Sequence, residues 1–272
     1  MLIRNFQVWC GMFLLLFMLT ASTVTQAGTV MLGVKGWYAQ WDSAFDKAIA
    51  ESFVQGLNDA NPGDNWSSTA KPGSGFLAGP MLGYLTDDKD WSFSAAFMVL
   101  SSFKTSTDWE ESTTPLAITT KTEMNRKDVD ISISRVLNEY FKVYAGYKYI
   151  TAKYKTELSG SPWFEVEMKN SIPTAGIAVA TSIAEGLVAG VQGGVMYVMP
   201  EYKFEGEKVK TKDSVGLNIE PNLSYLATDN FMLQVGVRYQ IYSVKFDDPA
   251  NGWTGSKNDQ FLGLTLAGIY LF

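Results

Sequence analysis

The 272-residue sequence predicts an all-β fold, a transmembrane, antiparallel, up-and-down barrel of about ten strands. Three observations carry that expectation. Apolar and polar residues alternate with period two in segment after segment; in 127–137, Val129, Ile131 and Ile133 oppose Asp128, Asp130, Ser132 and Ser134. Short turns alternate with longer polar segments along the chain. Finally, 16 Phe, 13 Tyr and 8 Trp accompany a mean hydropathy of only −0.01. A barrel reconciles those numbers by spreading aromatics over an outer belt around a polar interior.

The strands are expected near 29–41, 75–86, 91–103, 127–137, 141–156, 171–183, 187–200, 213–227, 231–246 and 258–272. Short turns fall at 87–90, 138–140, 184–186 and 228–230, and longer polar segments fill the other gaps. Each strand reaches the ~9–11 residues that cross a membrane obliquely. A soluble sandwich or lipocalin shares the period-two pattern, but leaves the outward aromatics without a reason. No internal repeat and no second domain is visible.

The two ends of the chain agree. Arg4 precedes a mostly apolar stretch from Val8 to Leu19, and Thr25-Gln26-Ala27 has the small-residue pattern of a cleavage site. Residues 1–27 are therefore expected to be a cleaved signal peptide, and 28–272 the barrel domain. Cys10, the only cysteine, falls in the expected signal peptide and follows Trp9, unlike an acylated lipoprotein cysteine. At the other end, Tyr270 and Phe272 share a strand face with Leu262, Leu264 and Leu266. The octet Thr265-Leu266-Ala267-Gly268-Ile269-Tyr270-Leu271-Phe272 resembles the C-terminal signature of Gram-negative outer-membrane β-barrels, with Ala267 where the class more often has Gly.

That resemblance implies short periplasmic turns, long extracellular loops and an outer-membrane location. It also implies partners: membrane lipid, lipopolysaccharide, and the barrel-assembly machinery reading Tyr270 and Phe272. The net charge of −6 argues against a nucleic-acid partner.

Two hairpins expose candidate lumen residues. Pairing Ala227 with Phe231 sets Glu220 opposite Arg238, and the same face carries Asn218, Asn222, Gln234 and Gln240. Pairing Leu137 with Phe141 sets Asp130 opposite Lys148. Directly opposed unlike charges stabilise a hairpin. They would form either a filtering constriction or a plug, and a barrel of about eight strands is just filled by its side chains. The opposite wall, with Trp37, Trp41, Met98, Leu100, Met196 and Val198, is less polar and offers a surface for an apolar ligand or simply fills the barrel. Between the first two strands, Phe45, Ile49, Phe53 and Leu57 recur every fourth residue. This predicts an amphipathic helix capped by Asp42 or Ser43 and ended before Asn61-Pro62-Gly63.

The sequence contains no histidine. It therefore departs from the omptin proteases, the outer-membrane phospholipase and the lipid A deacylase, which the class resemblance brings to mind and which rely on one. No phosphate loop or Cys/His metal cluster is present, so no cofactor, metal or catalytic activity is expected. Asp108, Glu110, Glu111 and Glu123 read as a solvated acidic loop. Two functions remain: a porin-like conduit or binding barrel for a small solute, apolar ones included, and a surface-exposed structural or adhesive barrel acting through its loops.

Overall fold

Every backbone N–H and C=O inside a bilayer needs a partner, which a closed sheet provides. The computed structural model describes residues 28–63, 65–112, 116–248 and 253–272; the expected signal peptide, with Cys10, lies outside them. The strands are β1 Thr29–Asp42, β2 Trp66–Leu85, β3 Trp91–Met98, β4 Leu100–Glu111, β5 Leu116–Val136, β6 Phe141–Leu158, β7 Ser161–Ala184, β8 Leu187–Phe204, β9 Glu207–Val209, β10 Thr211–Lys212, β11 Ser214–Thr228, β12 Phe231–Asp248 and β13 Trp253–Leu271. One helix, α1 Ala44–Ala60, joins β1 to β2.

These 13 strands make a ring of about 10 courses. β3 and β4 are one course between β2 and β5, interrupted at Val99. β9, β10 and β11 form another, bridging β8 and β12. The ring closes where β1 pairs with β2 on one side and β13 on the other, from Met31 opposite Leu271 to Asp42 opposite Gln260.

The strands are longer than the sequence suggests. β7 runs for 24 residues and β5 for 21. The segments expected as loops near 159–167 and 201–212 are mostly ladder. Ser159-Gly160 and Glu205-Gly206 turn the chain with φ of 51° and 84°, and 48° and 88°, the paired positive values that suit a two-residue hairpin turn. Asp108, Glu110, Glu111 and Glu123 likewise lie on β4 and β5 rather than in a loop, with Asp108 paired to Lys71.

The cause of this difference is visible along single strands. On β6, Val143, Ala145 and Tyr147 face outward and are exposed, while Lys148 points inward. Higher up, Ile150, Ala152 and Tyr154 continue the inward face and are buried, while the outward positions become Lys153 and Lys155. On β12, outward Leu233, Val235 and Val237 give way to Ser243 and Lys245, and inward Gln234 and Arg238 to Tyr242, Val244 and Phe246. Geometry keeps one parity throughout; chemistry exchanges faces where the strand leaves the membrane. Tyr38, Tyr197 and Tyr239 mark the outer edge of the apolar belt. Trp91, Phe93, Tyr140, Phe141, Tyr225, Tyr270 and Phe272 mark the periplasmic edge.

Candidate functional site

The lumen is divided by a layer of charges. Arg126 grips Asp128 with two hydrogen bonds of 2.7 Å, from Nε and Nη2 to the two carboxylate oxygens. Lys148 lies 2.8 Å from Asp130 and 3.5 Å from Asp128. Across the barrel, Arg238 Nε donates to Glu220 Oε2 at 2.7 Å. The other contacts of Glu220 are Gln192 Nε2 at 3.1 Å, Thr265 Oγ1 at 2.9 Å and Lys35 Nζ at 3.6 Å. The Trp37 ring stands between the two guanidinium groups, 5.6 Å from Arg126 and 5.5 Å from Arg238. Arg126 also lies over Phe261 at 4.6 Å.

Outward of that layer the lumen is filled by packed aromatic side chains. Trp41 stacks on Phe261 at 6.1 Å and meets Tyr154 at 5.6 Å; Phe103 closes on both Trp41 and Phe261. Helix α1 drives its first turns into this mouth. Phe45 packs on Tyr154, Tyr202 and Phe164, and Phe53 leans on Trp109 and Trp163. The helix start is satisfied twice over. Ser43 Oγ accepts from Asp46 N–H at 3.0 Å, and Asp259 of β13 accepts from Ala44 N–H at 2.8 Å and from Trp41 Nε1 at 3.1 Å. Asp46 is itself buried, accepting from Thr105 Oγ1. Burial pushes its carboxyl up to about 6, against hydrogen bonds from Thr105 and Thr122 and with help from the nearby charge of Asp259.

Below the charged layer, the lumen opens toward the periplasmic rim as a cavity of about 540 Å³. Its wall is mixed: Ser92 pairs with Ser134 at 2.6 Å and Ser94 with Ser132 at 2.7 Å, Asn222, Ser224 and Gln234 add further polar groups, and Met81, Ala178, Met196 and Met232 supply apolar surface. Two glycines let one large ring lie flat against the wall beside this space. The Tyr144 ring from β6 lies across Gly176 and Gly194, where a Cβ at Gly176 would meet ring atoms at 2.6 Å.

The structure thus sets Glu220 against Arg238 and Asp130 against Lys148 inside the barrel. The ladder pairs Asn218 with Gln240, and Asn222 and Gln234 line the cavity below. Trp37, Trp41, Met98, Met196 and Val198 lie in one buried cluster, their apolar surface covered by Phe103, Tyr154 and Phe261. The Leu100 side chain lies outside the described residues. Phe45 is buried in the mouth, whereas Ile49, Phe53 and Leu57 are only partly covered. Phe272 is exposed at the periplasmic rim with its ring 4.7 Å from Tyr270, and its N–H bonds Val30 O.

Several members escape a sequence reading. Arg126 sits where a loop is expected, Lys35 is one charge in an apolar strand, and Phe261 looks like any strand residue. Asp46 and Asp259 face each other only because α1 folds into the mouth. A residue of unexpected character on an inward parity is the one signal that could have found them.

These features define the fold class: an antiparallel transmembrane β-barrel of the outer-membrane type, with an apolar outer belt and a polar interior at the same level. Among solved structures, the chain is similar to the outer membrane protease OmpT from Escherichia coli, with TM-score 0.52, 11% identity, and 92% of this chain and 99% of that one covered. It is also similar to Neisserial surface protein A (NspA), at TM-score 0.40, 12% identity and coverage of 90% and 99%. The outer membrane protein OprG from Pseudomonas aeruginosa follows at TM-score 0.37, 12% identity and coverage of 91% and 97%. No protein-family model and no curated protein matches the sequence.

Proposed function

We propose that the chain is a binding barrel, closed to the exterior, whose periplasm-facing vestibule takes up a small polar solute. One observation carries this reading: a cavity of about 540 Å³ lies beneath a packed, aromatic outer half. The volume falls within the range of small-molecule sites. The aromatic cluster is already covered by its neighbours, so the space on offer is the vestibule, whose lining carries Ser, Asn, Gln and charged groups among apolar ones. We propose a non-enzymatic barrel, since the chain has no histidine to act as a general base.

Single-cysteine chemistry tests this reading, because Cys10 is the only native thiol. On a Cys10→Ser background, Ser224→Cys should react with a small water-soluble methanethiosulfonate, and Met98→Cys should not. Planar bilayers holding the barrel should stay silent. Equal reaction of the two positions, or steady single-channel openings, would mean that the outer half is not sealed.

A second reading rests on the hairpins above the belt. They present charged outer faces such as Lys153, Glu165 and Glu167, a rigid surface on which a structural or adhesive barrel could act. For assembly, we propose that Tyr270 and Phe272 form the segment recognised by the machinery. Removing Phe272 should lower the yield of inserted barrel while leaving the unfolding midpoint of the inserted fraction unchanged.

A further inference from the structure

The vestibule lining carries more cations than anions, in a protein of net charge −6. Among the described residues lining it, Lys35, Lys142, Lys148 and Arg238 carry positive charge and only Asp130 carries negative. Glu220 is not part of that lining, and its contacts are already made with Arg238, Gln192, Thr265 and Lys35. Asp130 is held by Lys148 at 2.8 Å. Arg238 and Lys35 share Glu220, and Lys148 contacts Asp130 and Asp128, so a solute entering from the periplasm meets a small excess of positive charge that includes Lys142.

The same wall holds polar atoms without partners. Arg238 uses Nε on Glu220, but its Nη1 has no hydrogen bond. Both amide atoms of Gln240 are unpartnered although the residue is fully buried, and so is Oδ1 of its cross-strand neighbour Asn218. Buried polar groups are seldom left so, because each loses its hydration without return. All three residues line the cavity. Together they present two donors and two acceptors on the β11–β12 hairpin, with Lys35 beside them.

We propose that the vestibule binds a small hydrophilic carboxylate of about monosaccharide size. Its carboxylate lies against Arg238 Nη1 and the Gln240 amide N–H, and its hydroxyls lie toward Asn218 and Asn222. The proposal rests on the vestibule reading above and adds the ligand's class. A guanidinium nitrogen and an amide N–H suit a planar carboxylate, while the amide oxygens require donors that a simple inorganic anion lacks.

Calorimetric titration of the full barrel in detergent with D-glucuronate and with D-glucose tests it. The acid should bind at least roughly tenfold more tightly than the neutral sugar, about 1.4 kcal/mol, and weaken as salt is raised. Gln240→Met should weaken glucuronate roughly tenfold or more, in keeping with loss of a hydrogen bond to a charged group. Since Gln240 makes no hydrogen bond in the structure, the variant should still show heat-dependent gel mobility. Glucuronate binding no tighter than glucose would overturn the proposal, and that result needs no variant. So would unchanged affinity in a folded Gln240→Met barrel. Continued labelling of Ser224→Cys in either case would show that the vestibule stands and only the ligand class is wrong.

Discussion

The membrane-level half of this barrel and the half above it share their strands yet invert their chemistry. At membrane level the outward face is Leu233, Val235 and Val237, and the inward face is Gln234, Arg238 and Glu220. Above it, Lys153, Glu165 and Glu167 face out, and Tyr154, Phe164 and Val166 are buried. The lesson is that a strand's parity and its hydrophobic side are separate properties. Parity is fixed by the pleat; the buried side is set by whatever lies outside. Lipid frees the interior to be polar, while water outside requires an apolar interior. The ion pairs and the vestibule are thus possible only at membrane depth, and the seal only above it.

Substitutions at five positions bear on that contrast, and the largest effect belongs to the charged layer. Glu220→Gln leaves Arg238 and Lys35 facing one another without their carboxylate, and should cost on the order of 5 kcal/mol in unfolding from lipid. The double variant with Arg238→Met should cost much less than the sum of the singles; additive effects would mean a well-hydrated layer. Next is Phe261→Ala in the packed aromatic half, where loss of stacking on Trp41 and contact with Arg126 should cost about 4 kcal/mol. A cost below about 1 kcal/mol would show the outer half to be loosely packed.

Asp46→Asn separates the halves by pH. The Asp46 carboxyl is raised from 3.8 to about 6 by burial, so its folded form favours the proton. The stability it contributes is therefore present below about pH 4 and lost as pH rises through about 6. Urea midpoints of the parent should fall by an amount equivalent to about 2–3 kcal/mol across that window, and Asp46→Asn should reduce this decline, the neighbouring Asp259 carboxyl being buried as well. A decline identical in both proteins would place the titration elsewhere. Smallest is Lys257→Met, which removes a rim contact to exposed Glu51 and should change stability by about 0–1 kcal/mol; a larger loss would make α1 docking depend on the rim.

Much of this arrangement is legible from residues alone, for stated reasons. The Glu220–Arg238 and Asp130–Lys148 registers follow from short turns and period two, because a tight turn leaves little freedom in pairing. Ser43 as the helix cap and Asn61 as its end follow from local chemistry. Strand length is not legible in the same way. Glu165, Glu167 and Lys203 look like loop residues until the aqueous surroundings of the upper ladder are known. The Asp46–Thr105 and Ala44–Asp259 contacts join residues 59 and 215 apart in sequence, and nothing local foretells where a helix will dock. The seat of the Tyr144 ring depends on missing side chains, at Gly176 and Gly194, and sequence patterns report what is present more readily than space.

The buried aromatic mouth has a calorimetric consequence. Trp41, Phe45, Phe103, Tyr154, Tyr202 and Phe261 pass from a packed interior into water when the chain unfolds, and apolar surface newly wetted raises heat capacity. The upper storey therefore brings to this membrane protein the curved stability profile of a water-soluble domain. Its hold on α1 should weaken on cooling as well as on heating, so the seal is tightest at some intermediate temperature.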